Sequence, residues 1–555
     1  MYLAAIVLFF CLLILFEIIN NKKRKAELVQ QLIDKWGTKP DFVYRDTIYD
    51  NITFYYSEEG QKESYIDDIT WKDLDMDNFY KLINNTQSSI GMEYLYYLLR
   101  KPCFSNDELK KRSRLINVFS KEQDVRINIQ TILRSVGNKC NISVYKYMQS
   151  VMEIKAKKCV IHYIQGFLLA LFFILIFFNV KIAIGLTVGM IFINIITYFS
   201  NKANMNVYLD FFAIVIAMSK AVDKISLVKN DEIKIYSKEM DDINKVLKKV
   251  KKGSFLLKSD AVSGNFADVV MDYIKMLFHV DIIMFYSMLD LLQKNSDKIF
   301  RLYEILGYMD SMCAVASFRK YLDYYCEPEL VSSMNVEYSV KDVFHPFITK
   351  PVCNSIDTNG CVLITGSNAS GKSTFIKTLA INAILSQTIY TSISKEYKGT
   401  FFNIYSSMAL ADNLLSSESY YIVEIKSLKR ILDADRTKAP VLCFVDEVLR
   451  GTNTIERIAA SSQILLSLAN TSTMCFAATH DIELTQILKN TYESYHFQEN
   501  VVEDDVMFDY TLYKGPATSR NAIKLLKVIG YNDDIIDKAN NMAGNFINNN
   551  VWSIV

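Results

Sequence analysis

An apolar run, a glycine-bounded loop and an apolar-periodic segment stand in immediate succession: Val362-Leu363-Ile364, then Gly366-Ser367-Asn368-Ala369-Ser370-Gly371-Lys372-Ser373-Thr374, then Phe375 to Leu385. Strand, loop, helix is the context in which G-x-x-x-x-G-K-[ST] means a phosphate-binding loop. Gly366 and Gly371 let the backbone curl so that successive N–H groups face one anion. The helix behind adds the positive end of its dipole. Lys372 is in reach of the terminal phosphates, and the Ser373 hydroxyl is a ligand for Mg²⁺. A chance glycine turn is the bland alternative, but pattern and context seldom coincide. The stretch 366–374 therefore reads as a nucleoside triphosphate site, with ATP and Mg²⁺ as the expected ligands.

Two further apolar runs end in chemistry. Val441 to Val445 leads into Asp446 and Glu447, as a buried parallel strand would that delivers acids at its tip. Asp446 is expected to hold the metal with Ser373, and Glu447 to polarise the attacking water. Met474 to Ala478 leads into Thr479, His480 and Asp481. Alone, His480 reads as a structural residue; at a strand tip beside two acids it reads as a sensor of the γ-phosphate.

The rest of the chain carries long apolar stretches. Leu3 to Ile19 is interrupted only by Glu17 and is followed at once by Asn20-Asn21-Lys22-Lys23-Arg24-Lys25. Charges placed after the apolar run, with no small-residue cleavage site, predict an uncleaved anchor whose basic end faces the cytoplasm. A second block, Val160 to Phe199, is split at Asn179-Val180-Lys181 into two pieces of about 18 to 20 residues, each long enough to cross a bilayer. Lys155, Lys157 and Lys158 before it and Lys202 after it predict a hairpin returning to the cytoplasm. The expectation is a multi-pass cell-membrane protein with its nucleotide site in the cytoplasm.

Between these stretches the pattern is mostly helical. Thr47 to Tyr56 alternates and is read as a strand or hairpin. Met92, Tyr94, Leu95, Leu98 and Leu99 form an apolar stripe that ends at Lys101-Pro102, and Asn106-Asp107-Glu108 opens another helix. Met205 to Tyr324 is helix-compatible with breaks near Lys252-Gly253-Ser254 and Ser263-Gly264-Asn265, and Met271 to Met288 reads as helical core. Basic and acidic residues number 62 and 61, so no overall charge advertises nucleic acid. Ten cysteines contain no C-x-x-C pair, which argues against a zinc ribbon; Cys443 and Cys475 read as buried hydrophobes.

The loop 365–374 with its Asn368, the run Asp446-Glu447-Val448-Leu449-Arg450-Gly451-Thr452 and the run Ala477 to Thr485 resemble the phosphate loop, Walker B segment and histidine switch of the MutS family. Ala411-Asp412-Asn413-Leu414 and Ser419 to Glu424 resemble the segment that in this family reaches across a dimer. His345-Pro346, the stretch Tyr513 to Ile523, the stretch Thr86 to Pro102 and the stretch Tyr308 to Ala316 extend the resemblance. It is strong from about Phe344 to Ala543 and weaker from about Thr86 to Val340.

The resemblance implies a C-terminal α/β P-loop ATPase domain preceded by an all-α lever domain. It implies ATP hydrolysis with Lys372, Glu447 and His480 as catalytic residues, and a homodimer in which Ser419 meets the partner's γ-phosphate. It also implies DNA, mismatched or branched, as a ligand. The expected order is an anchor at 1–20, a short segment at 21–77, lever at 78–158, membrane hairpin at 159–200, lever again at 201–340, ATPase at 341–545 and a tail at 546–555.

The chain departs from the family in three places. No segment resembles a mismatch-reading domain, the hydrophobic hairpin stands where clamp helices would be, and Ser417-Glu418 replaces a more basic or glycine-containing pair. A membrane-associated ATP-driven regulator that no longer binds DNA is thus the alternative. A transporter subunit fits poorly, since no L-S-G-G-Q signature precedes Asp446.

Overall fold

The computed structural model describes residues 2–60, 65–138, 142–154, 159–206, 208–257, 266–367, 370–408, 420–502, 505–517, 523, 526, 530–549 and 552. They form two compact units: residues 1–61, 83–97 and 114–318, and residues 62–82, 98–113 and 319–555.

Among the described residues the second unit contains ten strands in two sheets. The smaller sheet takes β1 (Glu329–Val331), β2 (Tyr338–Val343), β3 (Asn354–Thr358) and β5 (Glu396–Thr400), in the order β1-β5-β2-β3. The larger takes β4 (Cys361–Thr365), β6 (Asn403–Ser407), β7 (Val441–Asp446), β8 (Thr473–Thr479), β9 (Tyr492–Val502) and β10 (Asp505–Lys514). Its order is β10-β9-β4-β8-β7-β6, parallel throughout except for the antiparallel edge strand β10. Every residue of β4 and β8 is buried, because helices cover both faces, and this is why their sequences are continuous apolar runs rather than alternating ones. One face packs Leu363, Cys443, Val445, Cys475 and Ala477 with Leu428, Ile431, Leu465 and Leu468 from the helices Tyr420–Leu432 and Thr454–Ala469. The helix Lys372–Thr388 also packs on this sheet and is buried nearly all round, so its apolarity shows no single stripe.

The described residues of the first unit's elements are helical. Two stretches far apart in sequence meet in its core: buried Asp310, on the helix Ser296–Tyr321, accepts hydrogen bonds from the backbone N–H of Gln87 (2.9 Å) and Ser88 (2.8 Å) and from the Ser88 hydroxyl (2.6 Å). It thereby caps the helix Ser89–Arg100, which stops just before Lys101-Pro102 as the proline demands. Buried Glu93 performs the same service for the helix Val144–Met152, accepting from the N–H groups of Val144 and Tyr145 and from the hydroxyls of Ser143 and Tyr303.

Several expectations are corrected. Thr47 to Tyr56 lies in a helix, Asp46–Glu59, whose buried residues Ile48, Ile52 and Tyr55 recur at helical spacing that the short alternation disguised. The helix Asp231–Leu257 runs through Gly253 without a break, since a single glycine costs a helix only about 1 kcal/mol; Ser263-Gly264-Asn265 lies outside the described residues. Met271 to Met288 is helical as expected, but only its second part is core. His279, with φ +54°, separates Phe266–Phe278, which exposes Met271, Tyr273 and Ile274, from the better buried Val280–Gln293.

The apolar terminus is no separate segment ending at residue 20: one helix, Tyr2–Asp34, runs through the basic cluster. The two-span hairpin is also not what forms. Its first arm, Val160–Leu175, has only 16 residues, because Ile176 to Asn179 is spent on the turn into the second, Val180–Asn206. Among the described residues one helix, Val180–Lys202, is long and apolar enough to cross a membrane.

Candidate ATP site

The parallel order β4-β8-β7 brings three strand tips to one edge of the larger sheet. Thr365 pairs in register with Thr479, and Asp446 with Ala478, so the loop after β4 and the acids after β7 flank the His480 that follows β8. Ligands of open parallel sheets sit at such carboxyl ends.

The loop after β4 has the backbone its glycines permit. Gly366 has φ +150° and Gly371 φ +104°. A Cβ on Gly366 would stand 2.8 Å from the Phe497 carbonyl oxygen and 2.9 Å from Ser370 Oγ, so no side chain fits there. Gly371 leads straight into the helix Lys372–Thr388, whose first N–H groups have no partner within the helix. Asn368 and Ala369 lie outside the described residues.

Lys372 Nζ donates to the loop's own carbonyls, Gly366 O at 2.9 Å and Ser367 O at 2.7 Å. His480 Nδ1 lies 2.9 Å from the same Gly366 oxygen, and its Nε2 contacts a Glu447 carboxylate oxygen. Lys372 Nζ also lies 3.5 Å from that Nδ1, so the ring stands between the loop lysine and the Glu447 carboxylate. Glu447 also receives Arg450 Nε at 2.8 Å. The hydrogen bond from His480 above all, with the charge of the ring and of Arg450, holds the Glu447 carboxyl below its usual range against partial burial.

Asp446 behaves oppositely. Burial pushes its carboxyl up, while a hydrogen bond from Ser373 opposes the shift. Its Oδ1 is buried with no hydrogen-bond partner, as is Ser370 Oγ. A buried carboxylate oxygen lacking a partner, next to a hydroxyl, is the donor set of a hard divalent cation, and Mg²⁺ fits it.

Beside the loop opens a cavity of about 570 Å³, ordinary for a small-molecule site. Ser370 to Phe375 and Glu447 line it together with Phe344, His345, Ile348, Val352, Phe497 and Tyr510. Burial, with Lys377 nearby, lowers the His345 ring to about 4, so it meets a ligand as a neutral, flat surface at ordinary pH. Asn354 holds the irregular turn of β10 in place, donating to the Tyr510 carbonyl (2.9 Å) and accepting from Leu512 N (2.8 Å).

The structure thus gathers Gly366, Ser367, Ser370, Gly371, Lys372, Ser373, Thr374, Asp446, Glu447 and His480 at one edge. Ser419 lies outside the described residues, as do 409–418. Arg450, Tyr510, Phe497 and the ion pair Arg457–Asp481 (2.9 and 2.6 Å) were not singled out from sequence as site residues. Of the surrounding residues, His345-Pro346, Arg450 and Asp481 carried a signal, through the motifs that contain them.

Residues 362–546 match MutS domain V. The DNA mismatch repair protein MutS of Natronomonas pharaonis is 28% identical over 251 residues, covering 43% of this chain and 29% of that protein. The one from Clostridium botulinum is 25% identical over 279 residues, covering 47% of this chain and again 29% of the relative. The matched part thus spans under a third of these relatives' length. The loop, the paired acids and the histidine all fall inside the matched region, and it is through this domain that the chain is similar to the MutS family.

Proposed function

We propose that this chain is a membrane-associated ATPase whose domain V binds ATP and hydrolyses it at the edge of the larger sheet. The observation that carries the reading is the convergence of the glycine loop, Asp446, Glu447 and His480 at one sheet edge, beside a cavity that the end of the loop and Glu447 help to line. The triphosphate takes the place of the loop carbonyls as partner of Lys372, and the loop N–H groups hold its oxygens. Ser373 and Asp446 hold Mg²⁺, which supplies neutralising charge to the phosphates. Glu447 accepts a proton from the attacking water once His480 turns from it toward the γ-phosphate. A homodimer, with Ser419 reaching the partner's nucleotide, and coupling to a helical lever belong to the same proposal.

Release of phosphate by the full-length protein in detergent tests it. Wild type should turn over with Mg²⁺. Lys372→Ala should lose nucleotide binding; Glu447→Gln should keep binding and lose turnover. Phosphate release unaffected by either substitution would refute the assignment.

Two outputs remain in play. The relatives' names favour DNA, mismatched or branched, as the ligand. A bilayer partner is favoured by the apolar residues Val188, Phe192, Ile196 and Phe199, which stand more than half exposed along the helix Val180–Asn206. DNA binding across a salt series separates them: structure-preferring binding that responds to ATP and falls steeply with salt supports the first output, and its absence beside intact turnover supports the second.

A further inference from the structure

The chain after β7 turns sharply twice. Glu447 has φ +55° and Leu449 φ +58°, left-handed values that non-glycine residues adopt only when their surroundings hold them there. What holds this turn is specific. Ser461, on the helix Thr454–Ala469, donates its hydroxyl to the Val448 carbonyl at 3.1 Å. From the other side the helix Tyr420–Leu432 contributes two residues one turn apart. The Tyr421 side chain lies over Gly451, where an added Cβ would meet it at 3.6 Å. Glu424 Oε1 accepts the backbone N–H of Leu449, and the Glu424 carboxylate also accepts that of Arg450.

Nothing in ordinary electrostatics recommends Glu424 for this place. Burial raises its carboxyl, and the neighbouring Glu447 carboxylate raises it further. Its second oxygen, Oε2, is buried with no hydrogen-bond partner. A group kept in such surroundings must do something an apolar side chain could not, and its contacts say what. It fixes the backbone of Arg450, whose guanidinium in turn holds the Glu447 carboxylate at 2.8 Å. The chain of contacts runs from the helix Tyr420–Leu432, through Glu424, to the Arg450 backbone and on to Glu447.

We propose that Glu424 is a positioning residue for hydrolysis: as a hydrogen-bond acceptor it sets the turn that aims Glu447, and it makes the helix Tyr420–Leu432 a control on turnover separate from nucleotide binding. The inference rests on the ATPase reading above. Displacing this helix by an ångström or so re-aims Glu447 while leaving the phosphate loop and the Ser373–Asp446 pair in place. Its function is in being an acceptor, not in being charged or acidic. Glutamine supplies the same carbonyl oxygen and removes the repulsion from Glu447; alanine supplies nothing.

The test uses the full-length protein, with fluorescent ATP for affinity, phosphate release for turnover, and thermal melting as a check of folding. Glu424→Ala should lower kcat by about 10- to 100-fold, the range seen when a catalytic group is misplaced by about 1 Å, with nucleotide Kd within about threefold of wild type. Glu424→Gln should restore kcat to within about threefold of wild type. Tyr421→Ala, which loosens the same clasp without touching Glu424, should fall between them. Equal loss of kcat in the alanine and glutamine variants would overturn the acceptor role. Loss of affinity in step with kcat, or a melting temperature that falls with it, would reduce Glu424 to a structural residue. If wild type itself binds ATP without hydrolysing it, the ATPase reading fails; if wild type turns over and Glu424→Ala matches it, only this inference does.

Discussion

Replacing Gly91 by alanine should destabilise the first unit severely, although the same change in the middle of a helix ordinarily stabilises by up to about 1 kcal/mol. A Cβ on Gly91 would stand 2.2 Å from Asp310 Oδ2, 2.6 Å from its Cγ and 2.7 Å from its Cβ, all far inside van der Waals contact. Asp310 has no room to retreat. It is fully buried, as are Met309, Met312 and Cys313 around it on the same helix. The carboxylate must therefore leave its place, and the bonds to Gln87 and Ser88 that cap the helix Ser89–Arg100 go with it. Hydrogen bonds to a charged group contribute about 1.5–3 kcal/mol each, and overpacking costs about 1–3 kcal/mol. Allowing for partial relaxation and the helix-propensity gain, a net loss of about 3–5 kcal/mol follows.

Denaturant unfolding at pH 8, followed through Trp36, reads this unit locally, since Trp36 is held there under the Arg126 guanidinium at 3.8 Å. Gly544→Ala, where an added Cβ meets nothing within 4 Å, is the reference and should be neutral or slightly stabilising. In an Asp310→Gly background the Gly91→Ala cost should shrink by about 2 kcal/mol or more, because the clashing partner is gone. A Gly91→Ala variant as stable as wild type, or one whose cost is unchanged by Asp310→Gly, would refute the reasoning.

Glu93 gives the first unit a pH dependence. Burial raises its carboxyl to about 7, well above the ordinary 4.5, so the folded state holds the proton more tightly than the unfolded one. Its contribution is fully present below about 4.5 and is lost as pH rises through 7, amounting to about 3 kcal/mol at about 1.4 kcal/mol per unit. Asp310, raised by burial to about 6, adds to the same slope. Unfolding midpoints measured from pH 4.5 to 8 should flatten in Glu93→Gln; an unchanged slope would show that the carboxyl titrates as in the unfolded chain. For the proposed membrane association, Phe192→Asp on the exposed face of Val180–Asn206 should move protein from the membrane pellet to the supernatant, since a charge in mid-bilayer costs about 3 kcal/mol. Retention of both variant and wild type in the pellet would leave that helix without a part in anchoring.

The nucleotide site was legible because its chemistry is compressed into short motifs whose spacing is dictated by strand tips. The runs Val362–Ile364, Val441–Val445 and Met474–Ala478 are apolar without alternation, and each proved to be a buried strand of one parallel sheet. What they could not reveal was order. Nothing in the local sequence says that β8 lies between β4 and β7, which is what puts His480 between the loop and the acids. The side chains that wall the cavity, Phe497 and Tyr510, come from a hairpin whose residues look like any other strand pair. Glu424 stood in the sequence only as the end of a segment resembling one that reaches across a dimer, and nothing local linked it to the turn after β7. The helical unit was less legible for another reason. In Asp46–Glu59 polar and apolar residues alternate over a few positions by accident, and only packing of Ile48, Ile52 and Tyr55 decides the period. In the apolar hairpin, composition measured greasiness correctly but could not tell how many residues the turn would consume.

The unbroken helix at the start of the chain has a mechanical consequence. Its 33 residues extend about 50 Å at 1.5 Å per residue, whereas a hydrocarbon layer of about 30 Å takes up only about 20 of them. If the apolar turns sit in a bilayer, as the sequence predicts, the remainder rises roughly 20 Å beyond it as a stiff stalk rather than a slack tether. The stalk does not swing free at its far end. Leu32 is buried there, and Trp36 is pinned by Arg126 from the helix Gln123–Arg134. A rotation or tilt of the stalk would then be felt directly by the unit that holds it, and a push from that unit would be delivered to the lipid at a fixed standoff.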